Sequence, residues 1–431
     1  MRRKDILILL VVLGIIPFIS CKNNILVPIS DNNNDTLSLN FSTSSTGILY
    51  FDTYSNSNFI KVIWEVSKSS MDFPNIDEYD IDSVKVYLSK IGPDKGYEQY
   101  FVSAFQQKDS IIIENIVQDQ FYYFRLGLIN EEDSLIGLSK PLMTSRGESC
   151  SIYFAENIQL TDSPLYYKNL SWSRSGDELA IIKNDNSQHA NVFLWNKDTK
   201  TFNKITNYTE SNYRLLSLSF HPTARYVCFC YTPSSTFAEL DYKIWKVNLV
   251  NGVKTSLSQG RIDADPYWYC EDKILFCKGT YSPPNIPELY LLNLNDGSEI
   301  ALTDDQQIYK YSPSVSEDQN SIVYCGRTEG RDFLYLTNFD GTYQSRLTEF
   351  EYWNELHPNY IENSREIYFT SDRCGHYEIW SINLDNGKLK QITFSNFPHS
   401  NIFYGAMDST GQYLAVIMQK ENSEYSFIVY N

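Results

Sequence analysis

The chain is poor in the groups that usually carry chemistry. Only five histidines and five methionines occur among its 431 residues. No Gly-x-Ser-x-Gly segment is present, which removes the strand–turn–helix nucleophile of an α/β hydrolase. Without a His-Glu-x-x-His pair there is no helix-borne zinc site, and no glycine-rich loop has the spacing that cradles phosphate. No Cys-x-x-Cys pair or cysteine/histidine cluster has zinc spacing. Positive charge is also short: 36 Lys and Arg stand against 53 Asp and Glu, a formal net charge of −17. Such a surface repels phosphate backbones and anionic headgroups, so nucleic acid is not an expected partner. No cofactor or metal is expected either.

What the chain does have is aromatic residues, 33 Tyr and 24 Phe, in short runs rich in β-branched neighbours. That composition suits strands. The amino terminus carries an address. "MRRK" is a basic start, and "ILILLVVLGIIPFIS" is an apolar run too short to span a bilayer comfortably, ending at Cys21. Phe18-Ile19-Ser20-Cys21 resembles the lipobox of a bacterial, Bacteroidota-like lipoprotein, with Phe18 in place of the usual Leu. The resemblance implies a signal peptide over residues 1–20, cleavage before Cys21, lipid on Cys21 and a membrane anchor. Residues 21–36 read as a polar tether. The absence of acid directly after Cys21 leans toward the periplasmic face of the outer membrane rather than the cell surface. Seven cysteines follow Cys21, an odd number, so at least one thiol is unpaired. Cys230, Cys277 and Cys325 share one strand position in successive units and read as small core residues. The sequence leaves open whether Cys150, Cys270 or Cys374 is bridged.

Residues 37–147 form a first folded block. Strand candidates are 59–67, 83–90, 97–105, 110–116, 121–130 and 138–145, each bounded by turn formers. About seven strands in roughly 100 residues point to a β-sandwich. "YYFRLGLIN…GLSKPLMTS" resembles the last two strands of a fibronectin type III domain, with Tyr122 or Tyr123 as its corner tyrosine. The acidic run "DEYDIDS" at 77–83 has oxygens of the kind that hold calcium, but not at EF-hand spacing, and reads as a solvated loop.

Residues 150–431 repeat every 45 to 48 residues. Asn and Thr or Ser recur ten apart as Asn196/Thr206, Asn248/Ser258, Asn293/Thr303, Asn338/Thr348 and Asn383/Thr393. A sixth such Asn is Asn431; its Thr partner is missing from that end, and a spare copy, Leu160-Thr161, precedes the first unit. Four strands per unit at this period indicate propeller blades. The turns "LNDGS", "NFDGT" and "LDNGK" supply Asp-Gly or Asn-Gly at a hairpin bend. Trp172-Ser173-Arg174-Ser175-Gly176 most resembles the TolB-like propeller repeat, while "HPTAR" and "YCEDK" depart from it in the turn. The expected fold is therefore all-β: a fibronectin type III-like sandwich, then a six-bladed propeller closed by residues 152–161 pairing with the strand that ends at Asn431.

His221 and His357 each precede a proline and read as turn or strand-end residues rather than metal ligands. Asp263 and Asp265 open the third blade. The residues entering the first strand of each blade are expected to surround one mouth of the channel. They are Tyr166, Arg214, Asp263, Tyr309, Lys310, Asn354, Glu355, His357, Asn401 and Tyr404. That ring is the candidate site for a peptide or glycan. The expected function is a non-enzymatic envelope lipoprotein whose propeller is a scaffold for an envelope protein or glycan. The alternative is a polysaccharide lyase, because oligogalacturonate lyases resemble this repeat and use a His-held metal.

Overall fold

The computed structural model describes residues 25–26, 44–45 and 48–431, apart from 57, 67–80, 107, 134, 147–151, 161–168, 211–212, 234–240, 261, 280–285, 349–350, 363, 396–399 and 421–423. Cys21, Thr161, Tyr166, Cys150 and most of the acidic run at 77–83 lie outside the described residues. All regular elements among the described residues are strands.

The first block is two facing sheets. One has Ile48–Ser55, Phe59–Val66 and Lys108–Glu114 in that order. The other runs Leu142–Ser145, Phe121–Asn130, Ile81–Ser89, Glu98–Ala104, with Leu135–Leu138 also paired to Phe121–Asn130. Alternation makes the core: Ile60, Val62, Trp64 and Val66 are buried while the residues between them are only half-buried. Strand Ile48–Ser55 is absent from the sequence reading. The expected strand 138–145 is interrupted at Lys140-Pro141, because Pro141 has no N–H to give a ladder. The Tyr122 hydroxyl accepts the N–H of Val117 at 2.8 Å, so Tyr122, not Tyr123, pins the turn before its strand.

Among the described residues six four-stranded antiparallel, propeller-like sheets follow. Their inner strands are Leu170–Trp172, Arg214–Phe220, Asp263–Cys270, Tyr309–Val315, Glu355–Tyr360 and Asn401–Met407. Each sheet packs on the next through its inner strand, and the sixth returns to the first. The sixth sheet takes its outermost strand from the other end of the repeat region. Ile152–Ile158 pairs antiparallel with Tyr425–Tyr430, from Ile152 opposite Tyr430 to Ile158 opposite Tyr425. The edge of the last sheet is thus covered, as the spare Leu160-Thr161 copy implied.

The repeat residues have identifiable jobs. Asn196, Asn248, Asn293, Asn338 and Asn383 accept backbone N–H groups with their side-chain oxygens and so shape the hairpin to the outer strand. Gly297 and Gly387 occupy these hairpins at φ 72 and 68. The paired hydroxyls of Thr206, Ser258, Thr303 and Thr393 accept N–H from Val192, Ile244, Leu289 and Ile379 at 2.8–3.0 Å. Cys228, Cys230, Cys277, Cys325 and Cys374 are buried free thiols, and Cys270 is free and half-buried.

Candidate functional site

The structure buries five of the ten expected mouth residues. Asp263, Lys310, Glu355, His357 and Tyr404 are buried, Arg214, Tyr309, Asn354 and Asn401 are half-buried, and Tyr166 is outside the described residues. The expectation of an open polar ring is corrected for the five buried residues: packing of the assembled sheets covers their side chains, and His357 and Tyr404 lie deeper in their strands than the entries. The covering has a pattern. The repeat hydroxyl also donates, from Thr303 to Glu288, from Thr348 to Glu355 and from Thr393 to Glu378. Those carboxylates then meet a cation. Lys310 Nζ lies 2.8 Å from Glu288 and 2.8 Å from Asp305, and Arg373 pairs with Glu355. These buried charges are matched, as burial requires. Asn401 accepts the N–H of Tyr377, and Asn354 reaches Asp372.

Asp263 is the exception among the carboxylates. It is fully buried, and although Ser258 and the Gly260 N–H stand beside its oxygens, neither meets them at ordinary hydrogen-bond geometry. Burial pushes its pKa up, with Ser258 and Lys278 pulling the other way.

Deeper in the ring lies a second feature. Four inner strands are irregular at one register, and a non-glycine residue there has left-handed backbone: Ser217 (φ 40), Asp265 (φ 49), Ser312 (φ 50) and His357 (φ 52). Such backbone costs of order 1–2 kcal/mol per residue and needs support from its surroundings. The support is mutual. Ser217 Oγ donates to one Asp265 oxygen, and the Ser312 N–H donates to the other at 3.1 Å. Ser312 Oγ pairs with His357 Nδ1 at 3.0 Å, and the His357 ring stands edge-on to Tyr404 at 5.2 Å. The Tyr404 hydroxyl donates to the Leu170 carbonyl at 3.2 Å. This belt touches the inner strands of all six sheets. Sequence reading found Asp265, His357 and Tyr404 but missed Ser217 and Ser312. Their signal was spacing, since successive belt residues are 48, 47 and 45 apart.

His221 plays another part. Its Nδ1 accepts N–H from Thr223 and Ala224 at 3.0 and 2.9 Å, replacing the hydroxyl or carboxylate that shapes the equivalent turns at Ser173, Ser316 and Asp408. Burial lowers its pKa, and an accepting Nδ1 requires that nitrogen unprotonated. It is a turn residue, as expected.

The first block is not held by covalent linkage alone. Thr53 N–H donates to the Cys374 carbonyl at 3.0 Å and Met143 N–H to the Arg373 carbonyl at 2.7 Å. Trp353 Nε1 donates to the Pro141 carbonyl at 3.0 Å, and Lys140 reaches Asp372 at 3.2 Å. Beside this junction is a cleft of about 490 Å³. Its walls include Gln118, Asp119, Phe121 and Arg146 from the first block, and Glu366, Asn386, Lys388, Lys390 and Phe394 from the fifth sheet. Lys388 and Lys390 are exposed, and their ammonium groups have no ion-pair partner among the described residues.

Comparison with known proteins bears on the ring. Residues 284–431 match the model of the TolB beta propeller domain, so this part of the chain is similar to TolB-like propellers. An uncharacterised protein of Agrobacterium fabrum is 32% identical over 115 residues, 26% of this chain and 38% of that protein. The Tol-Pal system protein TolB of Helicobacter hepaticus is 26% identical over 147 residues, 34% of this chain and 33% of that protein. The chain thus spans about a third of the length of the curated relatives it matches. A crystal structure of TolB from Acinetobacter baumannii superposes with a TM-score of 0.39 at 11% identity, covering 88% of this chain and 78% of that one.

Proposed function

We infer that the chain is a non-enzymatic binding scaffold of the bacterial cell envelope: a lipid-anchored fibronectin type III-like block joined to a six-bladed propeller. The observation that carries the reading is the fate of the ring's reactive groups. Asp265, Ser312, His357, Glu355 and Lys310 are buried and bonded to neighbouring strands and turns. They brace the ring and present no acid–base pair to a substrate. The strand order of the first block and the Tyr122–Val117 bond support the fibronectin type III-like assignment.

An accessible polar surface lies in the cleft between the blocks. Unpaired ammonium groups, side-chain amides and two phenyl rings suit a protein or glycan partner with some negative charge. Capture by crosslinking from intact envelopes tests this, comparing the wild type with Lys388→Glu/Lys390→Glu. Both lysines are exposed, so the fold should survive. Capture should fall at least fivefold, and unchanged capture would overturn the assignment to the cleft. Turnover of a polysaccharide, abolished by His357→Ala at unchanged stability, would establish the lyase reading instead. Anchoring at Cys21 on the periplasmic face of the outer membrane rests on the amino-terminal sequence. Mass spectrometry should find lipid on Cys21; a cleaved but unmodified amino terminus would refute it.

A further inference from the structure

The junction between the blocks contains a histidine held from both sides. His376 is buried in the loop that enters the fifth sheet's third strand. Its Nδ1 lies 2.7 Å from Asp52 Oδ1, across the junction in the first block, 324 residues away in sequence. Its Nε2 lies 2.9 Å from Glu378 Oε1 and 3.0 Å from Ser395 Oγ. A neutral imidazole has one N–H, and an ionised carboxylate only accepts. Two carboxylates on opposite ring nitrogens are therefore satisfied together only by the doubly protonated ring.

The surroundings favour that state. Asp52 also accepts the Thr53 N–H at 2.7 Å and the Tyr54 hydroxyl at 2.8 Å, which keeps it aimed at the ring. Glu378 accepts from Thr393 and from the Ser395 N–H. Tyr54 stacks on the imidazole at 5.4 Å between centroids and 14° between planes. The titratable groups facing the ring are thus Asp52 and Tyr54 from the first block, and Cys374 and Glu378 from the fifth sheet. Burial pulls the His376 pKa down, but the Asp52 carboxylate beside it outweighs this and holds the value well above 6.5. Gly375 makes the close approach possible. It sits at φ +105, and a Cβ there would fall 2.8 Å from the Asp52 Cα and 2.9 Å from the Phe51 carbonyl oxygen.

We propose that His376 is a protonation-gated latch between the first block and the propeller, closed by the imidazolium bridging Asp52 and Glu378, and opened by loss of its proton. Closed, the two blocks form one body and fix the width of the cleft between them. When the proton leaves, one carboxylate loses the ring N–H and its opposite charge while still buried, and the Thr53–Cys374 contact beside it weakens. The sign is set by a raised folded pKa. The latch's stabilisation is fully present below the ordinary histidine value and is lost as pH rises through the higher folded value.

Hydrogen exchange reads the latch directly, because the Thr53 and Met143 amides donate across the junction. Protection factors, corrected for intrinsic exchange, are measured on the full chain between pH 6 and pH 10. Those of peptides carrying Thr53 and Met143 should fall at least tenfold, while peptides from Glu366–Ser371 in the middle of the fifth sheet keep theirs. His376→Gln should show the low junction protection already at pH 6, with its pH dependence gone. Gly375→Ala should lower junction protection at every pH, since it acts by contact and not by charge. Junction protection that is flat from pH 6 to 10 in the wild type overturns the proposal without any variant. So does a His376→Gln chain that keeps the wild-type pH profile.

Discussion

Phe154 is the most direct test of how the ring is closed. It lies on Ile152–Ile158, the strand borrowed by the sixth sheet, opposite Val429. Its ring reaches Phe427 of its own sheet at 5.9 Å, and Trp195 and Phe202 of the first sheet at 5.3 and 6.4 Å. One side chain therefore joins the last sheet to the first. A fully buried Phe→Ala change costs about 3–5 kcal/mol. Phe154 is half-buried, so Phe154→Ala should cost about 2 kcal/mol, including the loss of aromatic pairs worth roughly 0.5–1.5 kcal/mol each. Urea unfolding followed by tryptophan fluorescence suits the question, because Trp172 and Trp195 lie in this same cluster. The midpoint should drop with little change in slope. Ile152→Ala is the control: it is on the same strand but 61% exposed, and should cost under ~0.5 kcal/mol. If both variants unfold within ~0.5 kcal/mol of the wild type, Phe154 does not close the ring energetically and the reasoning fails.

Other expectations follow from single buried groups. Asp263→Asn should stabilise the chain by about 1 kcal/mol at neutral pH, because it removes a buried charge lacking a good donor. The gain should vanish as pH falls toward the ordinary aspartate value of 3.8, where Asp263 is itself neutral; a destabilised variant at pH 7 refutes this. Thr303→Val leaves the Leu289 N–H without its acceptor and Glu288 without one donor, for a loss of about 2 kcal/mol in chemical denaturation. Tyr122→Phe should cost about 1 kcal/mol through the Val117 N–H, whereas Tyr123→Phe should be nearly silent; equal effects would refute the assignment of the corner to Tyr122.

Much of the architecture was legible in the chain because it repeats. A period of 45 to 48 residues, an Asn at each third-strand end and a Thr or Ser ten residues on are local features, and each has a local job: a turn for the Asn, a strand N–H for the hydroxyl. The borrowed strand was legible for the same reason, since Leu160-Thr161 is the copy that the last repeat lacks. The candidate site was less so. Register along a strand says which residues share a level of the ring, but not whether the next sheet covers them. Lys310 and Glu355 were placed correctly in register and wrongly in exposure, because each answers a charge on a neighbouring element, Glu288 or Arg373.

What the sequence determined alone is what short-range chemistry dictates: strand periodicity, turn residues, the repeat and the strand that closes it. What only the tertiary structure decided are pairings between distant segments. Ser217, Asp265, Ser312 and His357 form a belt only when the sheets stand side by side, and no single repeat contains the pattern. Asp52 gives no sign in sequence that His376 is its partner, 324 residues away. Burial is a property of the assembled ring, and burial is what turns those carboxylates, hydroxyls and imidazoles into obligate partners.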